Sequence, residues 1–113
     1  MNDALEGKTE EQIRSMAPVG IDLGTSTSAI ASLDEDGMHF LIADDNGDFI
    51  VPSIVQAYEG DLIVGSVAKA GALTFHDKTA IEVKRLMGTG ETVKLGKRIM
   101  FPEEVSAQIL KHL

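Results

Sequence analysis

Asp22, Gly24 and four consecutive hydroxyl residues, Thr25, Ser26, Thr27 and Ser28, fall within a single short stretch. Those types at that spacing suit phosphate chemistry. Successive backbone N–H groups in a tight turn form a concavity that attracts anions. Gly24 has no side chain to hold an anion away, and the hydroxyls add donors. A carboxylate repels phosphate directly, so the useful task for Asp22 is to hold a hydrated magnesium ion. The same residues also suit an ordinary β-hairpin with a Ser/Thr-rich turn, and spacing alone leaves both readings open. Lys84, next to Arg85, is on its own a solvated lysine on a helix surface. His39, His76 and His112 are scattered, with no HExxH spacing, which points to surface or packing roles. Gly96-Lys97 runs into Arg98 and lacks the earlier glycine of a Walker A loop. No G-x-S-x-G elbow is present.

The elements that would position these residues follow from periodicity. Val19, Ile21 and Leu23 alternate with Gly20 and Asp22, a strand with its apolar residues on one face. Gly24 breaks it, and Ala29–Leu33 forms a second strand. Asp36-Gly37 is a hairpin signal, and Met38–Ala43 is a third strand, which completes a meander over residues 18–45. Asp44–Asp48 reads as a solvated turn; placing Gly47 sixth in an EF-hand loop puts Ile42 first, so a calcium loop does not fit. Pro52 marks an edge or a bend between two extended segments, since it has no N–H to donate. A turn over Tyr58–Asp61 leads to a short strand, Leu62–Val64. Ser66 is expected to cap a helix over Val67–Phe75, and Thr79 a second helix ending near Met87. Thr92–Leu95 and Arg98–Phe101 read as a hairpin. Pro102 opens the last helix, with Glu103 and Glu104 at its positive end and an apolar stripe of Val105, Ile109 and Leu113 broadened by Leu110. That helix carries no stop signal, so the sequence reads as a piece of a longer chain. Residues 1–17 read as a mobile polar tail or a marginal helix, 46–101 as a flanking lobe and 102–113 as a return helix.

Composition narrows the function. The chain has 113 residues and a net charge of −8, which disfavours nonspecific binding to nucleic acid or anionic membrane. Aromatic residues make up 4%, with no Trp, too few for a base-stacking platform. No cysteine is present, so disulfides and thiolate chemistry are excluded. No apolar run approaches a membrane span, and no signal peptide is visible, so a cytoplasmic location is the expectation.

The stretch GIDLGTSTS, Gly20–Ser28, resembles the first phosphate loop of the actin-like ATPase superfamily, and most closely that of the heat-shock protein 70 (DnaK-type) chaperones. VPSIV at Val51–Val55, Val64-Gly65, VKRLMG at Val83–Gly88 and PEEVSAQILKHL at Pro102–Leu113 resemble the same family in the same order. The resemblance implies an α/β fold, the N-terminal part of an actin-like, ribonuclease H-like ATPase domain, with an antiparallel three-stranded start and a small mixed lobe. It implies that Gly24, Thr25, Ser26 and Thr27 cradle the phosphates of ATP or ADP, and that Asp22 holds magnesium through water. It implies that Lys84 reaches the γ-phosphate region, an electrostatic role in hydrolysis. Thr27 departs from the Asn or Tyr that relatives carry there. The segment from Gly88 to Pro102 is much shorter than in typical members, a departure in the lobe that meets exchange factors in the family.

The expectation is therefore an ATP-binding portion of a chaperone whose ATP hydrolysis drives binding and release of unfolded polypeptides, with co-chaperones acting on the full-length protein. No nucleic acid or membrane partner is expected. Alone, this chain is expected to be inactive, because the adenosine pocket and second phosphate loop lie in later family sequence. It is expected to self-associate through exposed strand edges. Two rivals stand beside this: another actin-like superfamily member, such as a sugar kinase or filament protein, and a non-enzymatic interaction module.

Overall fold

The computed structural model of the chain describes residues 18–113. The reading of residues 1–17 as a tail lies outside them. Val19–Leu23 (β1) and Thr27–Leu33 (β2) pair antiparallel in the register Leu23 to Ser28 and Val19 to Ser32. Alternation of β-branched and small residues makes both good strands. The Asp34–Gly37 turn is held by the Asp34 carboxylate, whose Oδ1 accepts the N–H groups of Asp36 and Met38 at 2.9 Å. His39–Ile42 (β3) then returns along β2. The meander expected from the sequence is present.

Val51–Pro52 (β4) adds to this sheet by pairing with Thr27 and Ser28 of β2. With β1 filling one edge of β2, β3 and β4 share the other, β4 beside the loop that joins β1 to β2. Pro52 suits so short an edge strand. The chain passes through Ser53 directly into Ile54–Tyr58 (β5), the centre of a second antiparallel sheet ordered Asp61–Val64 (β6), β5, Thr79–Ile81 (β7). A two-residue turn joins β5 to β6. Glu59 and Gly60 both take positive φ, 50° and 85°, which matches the twist of a tight hairpin.

Two helix expectations are corrected. The first helix, α1, covers only Ser66–Ala70, and its N-cap is Gly65, with no side-chain cap bond. It ends at Gly71, which lies against the buried Gln56 amide, where a Cβ would sit 2.7 Å from Nε2. The expected Thr79–Met87 helix is instead strand β7 followed by a 3₁₀ turn over Val83–Leu86. Thr79 is β-branched and pairs with Gln56. Its hydroxyl donates to the Phe75 carbonyl at 2.7 Å and accepts from Gln56 Nε2 at 2.9 Å. It therefore satisfies a buried amide rather than capping a helix.

Val93–Leu95 (β8) and Arg98–Met100 (β9) form the expected hairpin. Pro102–His112 (α2) is the longest helix among the described residues, and Glu104 Oε1 accepts the Phe101 N–H at 3.0 Å to close its first turn. Val105 and Ile109 of α2 pack with Val55, Val64, Ala80, Val83 and Leu95 into one buried cluster. Leu110, expected in that stripe, is exposed, and Pro102 and Ser106 are buried instead. Among the described residues no helix is long and apolar enough to cross a membrane.

Candidate phosphate-binding site

The loop between β1 and β2 is only Gly24, Thr25 and Ser26. The Gly24 N–H donates to the Thr27 carbonyl at 3.0 Å, so Thr27 and Ser28 belong to the strand and the four-hydroxyl turn shrinks to two. Glycine is required at 24 for a reason different from the one expected. A Cβ there would collide with the chain's own Thr27 carbonyl oxygen. The tightness of the turn itself demands glycine. No backbone carbonyl among the described residues accepts the amides of Thr25 or Ser26. Two adjacent unspent N–H groups beside two hydroxyls are what an oxyanion needs.

Ser53 holds this turn in place. Its Oγ donates to the Gly24 carbonyl at 2.9 Å, and its amide donates to the Ser26 carbonyl at 2.9 Å. The Ser28 and Ser53 hydroxyl oxygens lie 2.7 Å apart. Ser53 and Ser28 are both buried. Ser28 therefore spends its hydroxyl inward, a correction to its reading as a phosphate donor. Ser53 is the residue that sequence reasoning missed. VPSIV has no spacing that singles it out; its role comes from its place between the two sheets of the fold.

A cleft of about 250 Å³ opens on this turn. Thr25, Ser26 and Thr27 form one wall, Pro52, Ser53 and Ile54 the next, and Lys69, Ile81 and Glu82 the far side. The pairing of Ile54 with Ile81 brings β7 to this place. Glu82 follows in the left-handed region, φ 52°, a conformation that costs a non-glycine residue free energy. Its carboxylate lies 3.6 Å from Arg85, an exposed pair of little energetic weight. Asp22 and Lys84 are both exposed. Neither lines the cleft; Lys84 lies two residues beyond Glu82, in the 3₁₀ turn.

His112, read as having a surface or packing role, and Asp44, read within a solvated turn, make a partly buried pair on another face. His112 Nε2 and Asp44 Oδ2 are 2.7 Å apart, and the Asp44 side chain is 0% exposed. Asp44 Oδ1 also accepts the Asn46 and Asp48 amides at 3.0 and 2.9 Å. Burial alone would push the Asp44 carboxyl up. The His112 hydrogen bond, the two amides and the imidazole's charge outweigh it and hold the carboxyl below its ordinary value. The Asp44–Asp48 turn is thus pinned at its first residue rather than solvated throughout.

Fold and turn together define a class: two antiparallel strands joined by a glycine-tight hydroxyl turn, carried on a small mixed lobe. The sequence model of the Hsp70 protein family matches residues 18–113. The chain belongs to the Hsp70 family, and its mixed α/β fold is that of the N-terminal part of an actin-like ATPase domain. It is 42% identical over 95 residues to a chaperone protein DnaK of Mycoplasmopsis agalactiae and 44% identical over 95 residues to that of Mycoplasma mobile. A third, from Mycoplasmopsis synoviae, is 42% identical. Each match covers 84% of this chain, which spans 16% of the length of these relatives.

Proposed function

We propose that this chain supplies the first phosphate-binding turn of a DnaK-type chaperone ATPase. Gly24, Thr25, Ser26 and Thr27 receive the phosphates of ATP or ADP, and ATP turnover in the full-length protein drives binding and release of unfolded polypeptides under the control of co-chaperones. The observation that carries this reading is the pair of unspent amides at Thr25 and Ser26 in a turn locked by Ser53. Amides left free in a turn fixed by such bonds suit an oxyanion. Lys84 is assigned to offset charge at the γ-phosphate.

Magnesium fits the donors in a particular way. Among the described residues no three His, Asp or Glu side chains gather to cage a metal ion. A single carboxylate, Asp22, holding an ion through water while phosphate oxygens complete its shell, is the arrangement magnesium tolerates. The ion would neutralise phosphate charge there. The chain alone hydrolyses little ATP, because a half-site leaves the nucleotide largely in water. The parent protein is assigned to the cytoplasm.

The test is a titration of the isotope-labelled chain with magnesium-ATP, followed by amide NMR. Expected are shifts centred on Gly24–Thr27 with weak saturation and no robust turnover. Loss of those shifts in Asp22→Ala combined with Thr25→Ala supports the reading. Shifts that persist in the double variant, or that centre elsewhere, overturn it.

A further inference from the structure

A second cleft, larger than the phosphate site, opens elsewhere on the surface. It encloses about 800 Å³ between the β5–β6 turn, the 3₁₀ turn at His76–Lys78 and the β8–β9 hairpin. Its charge runs against that of the chain. The protein carries −8 overall with ten lysines and arginines, yet Lys78, Lys94, Lys97 and Arg98 all line this cleft, against two carboxylates, Glu59 and Asp77. The four cations are all exposed.

The cleft is built rather than incidental. The Gly96 N–H donates to the Asp77 carbonyl at 2.9 Å, which ties the hairpin tip to the 3₁₀ turn. Arg98 Nη2 donates to the Gly60 carbonyl at 2.7 Å and ties the other end of the hairpin to the β5–β6 turn. Lys78 lies with its ammonium 5.9 Å from the centre of the Phe75 ring, and Tyr58 meets that ring edge-on. Gly96 takes φ 63° with the Lys78 stem against it. Two of the cations are thus fixed by the walls, while Lys94 and Lys97 make no ion pair or hydrogen bond among the described residues.

We infer that this cleft binds an acidic polypeptide segment of a partner protein. Cations held by hydrogen bonds and ring contacts lose little further freedom on binding. Charge complementarity selects the sign of the partner and steers its approach. Scale selects its kind. A nucleic acid would bring a long polyanion across a strongly acidic chain, whose wider field opposes it. A short run of Glu and Asp side chains keeps its charge inside the cleft, with Tyr58 offering apolar contact and a hydroxyl. This inference does not depend on nucleotide binding, because the two clefts share no residue.

The probe is a fluorescein-labelled octaglutamate peptide, followed by anisotropy against the 113-residue chain. Saturable binding is expected, weakening with added salt as the screening length falls from about 10 Å at 0.1 M to about 3 Å at 1 M. Lys94→Glu and Lys97→Glu are each expected to weaken it about tenfold, or about 1.4 kcal/mol. Arg85→Glu changes net charge equally but at an exposed residue that does not line this cleft, and is expected to leave affinity within twofold. Equal weakening by all three variants overturns the inference, since general charge would then account for the binding. Absence of saturable binding at low salt overturns it as well. Tighter binding of an oligonucleotide of matched charge, lost in Lys94→Glu, overturns the choice of partner.

Discussion

Ser53 concentrates the design of the phosphate turn in one side chain. It bonds the carbonyls at two positions of the turn and touches a second buried hydroxyl. Replacing it with alanine leaves the Gly24 carbonyl and the Ser28 hydroxyl short of a partner in a buried place, at a cost of about 1–3 kcal/mol. Ser53→Ala is expected to lower stability by that amount in chemical denaturation and to weaken the magnesium-ATP shifts at Thr25 and Ser26. Ser53→Thr, which keeps the hydroxyl, is expected to restore the shifts more fully than the stability, because the extra methyl is crowded. Equal stability of Ser53→Ala and the parent chain would sink this role for Ser53. The residues expected to touch phosphate were legible in the sequence because glycine and hydroxyls advertise a turn. Ser53 was not, since a single serine after a proline carries no spacing signal.

At the scale of elements, α2 is fastened at two places by different physics. Its middle is buried by Val105 and Ile109 against the core. Its last turn is fixed by His112 on Asp44, the residue that follows β3 by two positions. Because the Asp44 carboxyl is held below its reference value of 3.8, the unfolded chain binds that proton more tightly than the folded one. Stability therefore rises with pH through this window. The contribution is complete above 3.8 and is lost as pH falls through the lower folded value. Denaturation midpoints at pH 7 and pH 3 are expected to differ less in Asp44→Asn than in the parent chain. An unchanged difference would show that Asp44 plays no part in the acid sensitivity. The 3.6-residue stripe made α2 legible. Periodicity misled at Thr79–Met87, where Ala80 and Val83 are buried as a helix would also bury them. Pairing with β5, a long-range fact, decided for a strand. Leu110 fits the stripe but lies past its edge.

For the whole molecule, apolar surface is unevenly covered. The core gathers under α2, whereas the meander keeps Val19 at 56% and Ile21 at 48% exposure, with Leu33, Phe40 and Leu41 also open. The Cα radius of gyration, 16.8 Å, exceeds the roughly 13 Å of a compact 100-residue domain. Alternation in Val19–Leu23 revealed the strand but not its cover, because a pattern states which face is apolar and not what lies on it. An uncovered apolar sheet face invites association. The chain is expected to form dimers or larger species as its concentration rises, and Ile21→Lys is expected to reduce them. A light-scattering mass that stays at one chain throughout would count against this.

Tyr58 is the only tyrosine of a chain without tryptophan, and it lines the basic cleft. Intrinsic fluorescence is therefore dominated by one ring at one address. An optical titration that relies on it watches arrivals between the hairpins and is blind to events at Gly24, so a silent trace with nucleotide leaves occupancy of the turn undecided.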